Sequence, residues 1–135
     1  PGQNASFLIP KIIEGVFKGQ LNLETLTPKR DFVYVHDVCN AFLQCLLIHS
    51  EDHTFNVYNI GSGNSYSVQQ IIDKVISFAA LNPTITCNEK KRAVEVEDVK
   101  ADFSKIKREK KWHPSVSFDQ GLKDMIEIYR KENGL

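Results

Sequence analysis

The sequence predicts an α/β fold. Three observations carry it. Apolar residues recur at helical spacing in several separate segments, and short runs of strand character lie between them. The run at residues 55–60 (FNVYNI) is polar only at Asn56 and Asn59, so it reads as a strand buried on both faces, the habit of a parallel sheet. The predicted order is helix, strand, helix, strand, helix, strand, helix, helix.

Each element has a local reason. Ser6 is placed to cap a helix over residues 7–18, with Pro10 tolerated in its first turn and Gly19 just past its end. Leu8, Ile12, Ile13, Val16 and Phe17 give that helix one apolar face. Leu21, Leu23 and Leu26 predict a short strand or extended segment, and residues 32–35 (FVYV) a second strand. From Asp37 the period changes: Val38, Ala41, Phe42, Cys45 and Leu46 recur at three and four, predicting a helix over 37–49 with Asp37 as its cap. Ser67 and Gln70 have capping-box spacing ahead of Ile71, Ile72, Val75, Ile76 and Ala79. Residues 84–87 (TITC) predict a short strand, and Ser104 opens a charged helix. Ser117 and Gln120 repeat the capping-box spacing, and Leu122, Met125, Ile126 and Tyr129 form the buried stripe of a last helix ending near Gly134.

Composition excludes several classes. The chain has 135 residues, 41% of them hydrophobic, which is about one domain with enough apolar mass for a core. Seventeen basic residues balance 17 acidic ones, so no strong field draws the chain to nucleic acid or to an anionic membrane. No apolar run approaches the roughly 20 residues of a membrane span. Cys39, Cys45 and Cys87 are odd in number and contain no Cys-x-x-Cys pair, which argues against a disulfide framework and suits a cytoplasmic protein. The four histidines, His36, His49, His53 and His113, show no metal-ligand spacing.

Few residues announce chemistry. Gly61-Ser62-Gly63 follows a predicted strand, but Tyr66 stands where a dinucleotide fingerprint needs glycine, and no Gly-Lys-Ser/Thr follows. A tight strand-to-helix turn is the simpler reading, with Asn64 at its tip presenting an amide beside the carboxyl ends of the strands. Residues 105–111 (KIKREKK) read as a solvated helix face. Arg30 and Arg92 carry the planar fork that suits bidentate phosphate recognition, with surface ion pairing as the alternative.

Residues 30–41 (RDFVYVHDVCNA) resemble the Arg-Asp-Phe/Tyr-Val-Tyr-Val-Asp-Asp-Val stretch of the extended short-chain dehydrogenase/reductase family, the NAD-dependent nucleotide-sugar epimerases and dehydratases. Three further blocks agree in order. Pro1-Gly2-Gln3 resembles the end of an Asn-x-x-Gly-Pro-Gly-Gln loop. Residues 58–63 resemble Tyr-Asn-Ile-Gly-Ser-Gly. Asp102-Phe103-Ser104-Lys105, then Trp112-His113-Pro114 and Gly121-Leu122, resemble the Asp-x-Ser-Lys, Gly-Trp-x-Pro and Gly-Leu blocks. His36, Ala93-Val94 and Lys111 depart from that pattern.

The resemblance implies the C-terminal substrate-binding part of a Rossmann-type epimerase/dehydratase, a small mixed sheet with several helices. It implies a nucleotide-diphosphate sugar as ligand. Arg30 and Arg92 would contact its phosphates, Glu95 would lie near its ribose, and Asn64 and Leu23 would pack on the nucleotide. The strand at about 55–60 would belong to the sheet of an N-terminal cofactor domain missing from this chain. NAD or NADP would be held by that domain and not by this chain alone. The family's catalytic Tyr-x-x-x-Lys pair is absent: Tyr34, Tyr58, Tyr66 and Tyr129 are followed four residues on by Val38, Ser62, Gln70 and Asn133. The expectation is therefore a catalytically inactive piece of a nucleotide-sugar enzyme of surface polysaccharide or sugar-nucleotide metabolism, prone to self-association. The alternative is a non-catalytic nucleotide-sugar-binding or regulatory module.

Overall fold

A computed structural model describes residues 2–4, 6–47, 55–88 and 96–135. Among the described residues, five helices and five short strands follow the order α1 (Leu8–Phe17), β1 (Gln20–Leu23), β2 (Lys29–Asp31), α2 (Val35–Leu47), β3 (Ser65–Ser67), α3 (Val68–Ala79), β4 (Thr84–Cys87), β5 (Asp98–Val99), α4 (Ser104–Lys110) and α5 (Phe118–Asn133). The α/β class expected from the sequence is the class observed.

The strands form two small sheets. β1 and β4 pair in parallel, Leu21 opposite Ile85. β2 lies between β3, antiparallel to it, and β5, parallel to it. The main core fills the space between α1, α3, α5 and β1. Ile12, Ile13, Val16, Leu21, Ile71, Ile72, Val75, Leu122 and Ile126 are all buried there. A second, thinner cluster of Ala41, Ile106 and Trp112 lies under α2 and α4, flanked by Val33, Cys45, Tyr58, Ile60 and Phe103.

Local chemistry accounts for most helix ends. The capping box at α3 is complete: the Gln70 N–H donates to the Ser67 hydroxyl oxygen and the Ser67 N–H donates to the Gln70 side chain. At α5 only half of the expected box forms. Ser117 accepts from the Gln120 N–H, but the Gln120 amide turns along the helix to Asp124. Ser6 does not cap α1. Phe7 occupies the cap position, and the Ser6 N–H donates to Asn4 Oδ1 in the preceding turn.

Three other expectations are corrected. The second strand is not at 32–35 but at Lys29–Asp31, because the ladder partners stand there and α2 already begins at Val35. Phe32 instead packs against Phe118, ring centroids 5.6 Å apart. Residues 55–60 form no strand, since no segment pairs with them among the described residues. Phe55 is 92% exposed and Val57 is 63% exposed, so this chain by itself does not bury the run. Asp37 is not a solvent-facing cap but a buried residue of α2.

β3 and β5 were not legible in the sequence. They are three and two residues long and lack apolar alternation. Cys39 is exposed and Cys45 and Cys87 are half-buried, all three as free thiols. Among the described residues no helix is long and apolar enough to cross a membrane.

Candidate nucleotide-sugar site

Two aspartates of the RDFVYVHD stretch organise the chain around β2. Asp31 closes the strand. Its Oδ1 accepts from the Ser62 N–H at 2.8 Å and the Ser62 hydroxyl at 2.6 Å. Its Oδ2 accepts from the Gly63 N–H at 2.9 Å and the Ala101 N–H at 3.1 Å. This close approach demands glycine at 61. A Cβ there would stand 2.4 Å from the Ala101 Cβ and 2.8 Å from Asp31 Oδ2. Gly63 takes φ +73°, the left-handed region that favours glycine.

The glycine turn is thus a socket for a carboxylate. A pyrophosphate cradle needs backbone N–H groups turned outward, and here those of Ser62 and Gly63 are directed to Asp31. The residues of this turn do not fit the pyrophosphate of a dinucleotide.

Asp37 makes the second knot. It is 2% exposed. It accepts from the Ser115 N–H at 3.0 Å, the Ser115 hydroxyl at 2.6 Å and the Val116 N–H at 3.0 Å. Its own backbone carbonyl accepts from the Trp112 indole N–H at 3.0 Å. Burial pulls its pKa up. The bonds from Ser115 and Val116, with His113 nearby, outweigh that and hold the carboxyl below the usual carboxylate range.

Arg30 is half-buried in the middle of β2, opposite Tyr66 on β3 and Val99 on β5. Its Nη1 donates to the Lys29 carbonyl at 2.7 Å and to the Val96 carbonyl at 2.8 Å. Asn64 is exposed at the turn before β3; its N–H donates to the Ser62 hydroxyl oxygen and its side-chain amide to the Ser62 carbonyl. Leu23 ends β1 and is buried in the main core at 7% exposure. Arg92 and Glu95 lie outside the described residues.

Both ends of the stretch that carries Arg92 and Glu95 are tied to these positions. At one end the Asn88 N–H donates to the Leu23 carbonyl at 3.1 Å. At the other the Lys29 N–H donates to the Glu97 carbonyl at 2.7 Å, beside the Arg30 contact with Val96.

Two further features bear on chemistry. A largely apolar cavity of about 540 Å³ lies beside this region, lined by Ile9, Phe32, Tyr34, Phe118 and Met125 among others. A tyrosine and a lysine do meet in space: Lys105 Nζ stands 4.9 Å from the Tyr58 ring centroid. Burial first, then the bond from its hydroxyl to Glu109, raise the Tyr58 pKa, the wrong direction for a phenolate base. The basic run at 105–111 is also not a purely solvated face. Lys105 donates to Asn56 Oδ1 and the Val57 carbonyl, and Lys110 is buried.

The residues that sequence reasoning missed as organisers are Asp31 and Ser62. The available signal was an acid adjoining Arg30 in the same short strand.

The profile of the GDP-mannose 4,6 dehydratase family matches residues 1–125. The GDP-6-deoxy-D-mannose reductase of Pseudomonas aeruginosa is 26% identical over 134 residues, covering 93% of this chain and 43% of that protein. The human GDP-mannose 4,6 dehydratase is 27% identical, with coverage of 93% and 40%. The structure of Thermotoga maritima UDP-glucose 4-epimerase with UDP-glucose matches at a TM-score of 0.79 and 27% identity, covering 94% of this chain and 40% of that one. MoeE5 in complex with UDP-glucuronic acid and NAD matches at 0.86 and 25% identity, covering 98% and 44%. The chain spans less than half the length of each.

Proposed function

Because the chain belongs to the GDP-mannose 4,6 dehydratase family, within the nucleotide-sugar epimerases, dehydratases and reductases of the extended short-chain dehydrogenase/reductase family, we propose that it is the nucleotide-sugar-binding portion of such an NAD(P)-dependent enzyme. Arg30 and Arg92 grip the diphosphate through charge-assisted, fork-shaped contacts. Glu95 accepts from ribose hydroxyls. Asn64 packs against the nucleotide, and Leu23 supports the base from the end of β1. The parent acts in the cytoplasm, in sugar-nucleotide or surface polysaccharide metabolism.

The observation that supports this reading is that Asn88 and Glu97, the described residues on either side of residues 89–95, hydrogen-bond to Leu23 and to Lys29, the neighbour of Arg30.

Residues 1–135 are, in this proposal, the C-terminal part of the enzyme, and residues 55–60 complete a sheet in the cofactor-binding part that the chain does not span. The exposure of Phe55 and Val57 supports this. So does α2, where Val35, Cys39, Phe42 and Leu46 fall at spacings of four and three on one exposed face. A nicotinamide cofactor is bound by that other part, consistent with the engaged glycine turn. The chain alone does not turn over substrate, for want of a tyrosine followed four residues on by lysine.

Titration calorimetry tests the binding reading. UDP-glucose or GDP-mannose should bind the 135-residue chain, and Arg30→Ala should weaken binding about tenfold or more, the loss of a charged hydrogen-bonding partner. Absence of binding to both sugars, or indifference to Arg30→Ala, overturns it.

A further inference from the structure

We infer that Asp31 is a positioning residue of the nucleotide-sugar site, one that fixes the Asn64 turn against Arg30. The inference rests on the reading of that site given above.

Asp31 receives four hydrogen bonds: three from residues 62 and 63 and one from residue 101. Those donors come from sequence separations of 31 to 70 residues. A carboxylate that only closed its own strand would need none of them.

Their placement is specific. Residues 65–67 are held by the ladder to β2, with Ser65 opposite Asp31 itself. Residues 62 and 63 are held by the Asp31 carboxylate. Asn64 is therefore locked between a backbone ladder on one side and a carboxylate on the other. On the opposite edge of β2, the bond to Ala101 fixes the chain just past β5, the strand that follows Val96. Arg30 reaches Val96 from the same strand. One side chain thus sets the backbone on both flanks of Arg30. Ser62 extends the link, since its hydroxyl oxygen accepts the Asn64 N–H at 3.2 Å. Small errors in such placements weaken recognition, because hydrogen bonds weaken steeply as their geometry departs from linear.

Asp31→Asn keeps the shape and removes half of the accepting capacity, because an amide nitrogen repels the N–H groups it would face. Asp37→Asn makes the same change in a second carboxylate knot whose donors, Ser115 and Val116, flank none of the site positions. Comparing the two separates positioning from general support.

The experiment measures UDP-glucose and GDP-mannose affinity by calorimetry for the unaltered chain, Asp31→Asn, Asp37→Asn and Ser62→Ala, at a temperature where circular dichroism shows each folded. Asp31→Asn should weaken binding about tenfold or more, Ser62→Ala about threefold, and Asp37→Asn less than twofold. The backbone amide resonance of Asn64 should move in the first two variants and not in the third. Equal affinity in Asp31→Asn, or an equal loss in Asp37→Asn, overturns the positioning role while leaving the binding reading intact. If Asp31→Asn does not fold, unchanged affinity in Ser62→Ala overturns it instead. Failure of the unaltered chain to bind either sugar sinks the binding reading itself, and the positioning role falls with it.

Discussion

The core between α1, α3, α5 and β1 and the cluster under α2 are held together by different forces. The first buries about a dozen apolar side chains from four elements, with Ile12, Ile72 and Val75 fully enclosed. The second buries three residues. What anchors α2 is mostly polar: the Asp37 carboxylate on Ser115 and Val116, and the Trp112 indole on the Asp37 carbonyl. The outward side of α2 is apolar and open, with Phe42 63% and Leu46 65% exposed. Contiguous exposed apolar patches are a common mark of interaction surfaces. One half is thus held by its own burial, and the other mostly by hydrogen bonds around a small apolar cluster.

The sharpest way to break this contrast is a truncation in the larger core. Ile72→Ala should cost about 2–5 kcal/mol, read as the midpoint of urea unfolding, because the site is enclosed and cannot collapse. Asp37→Ala should cost about 3 kcal/mol, since it strands three donors around a vanished charge. If the α2 side were held by apolar packing instead, that second loss would be slight.

Acid should expose the same difference. A carboxyl depressed in the folded state contributes its stability above the unfolded value of about 3.9, and loses it as pH falls through the folded value. Below about pH 4 the α2 side should loosen, and the emission of Trp112, the single tryptophan, should shift to the red. Asp37→Asn should remove that acid step. Trp112→Phe, which keeps most of the packing and deletes the indole bond, should cost about 1 kcal/mol.

The smallest effect is the most telling. Leu46→Gln should change stability by no more than about 0.5 kcal/mol, because its side chain has little packing to lose. A larger loss would mean that this face is already covered, and the contrast between the two halves would fail.

The sequence made the larger core legible because its helices are amphipathic in the ordinary way. Val68, Ile71, Ile72, Val75 and Ala79 repeat at three and four behind a full capping box, and all are buried. On α2 the same period gave the helix but not its burial, for Ala41 is buried while Phe42 and Leu46 are exposed among the described residues. Among the site residues, Arg30 and Asn64 were legible through motif resemblance. The Asp31 socket was not, because its donors are mainly backbone N–H groups, and any residue but proline carries one.

The Asp37 knot also has a timing. Its last donor, Val116, lies 79 residues downstream. A chain made at about 5–20 residues per second would hold that carboxylate in water for on the order of ten seconds before its donors exist. Over that interval α2 has neither its anchor nor Trp112. Closure of this side must therefore follow synthesis of Val116, and a product ending before Ser115 would keep α2 untethered however well the larger core had formed.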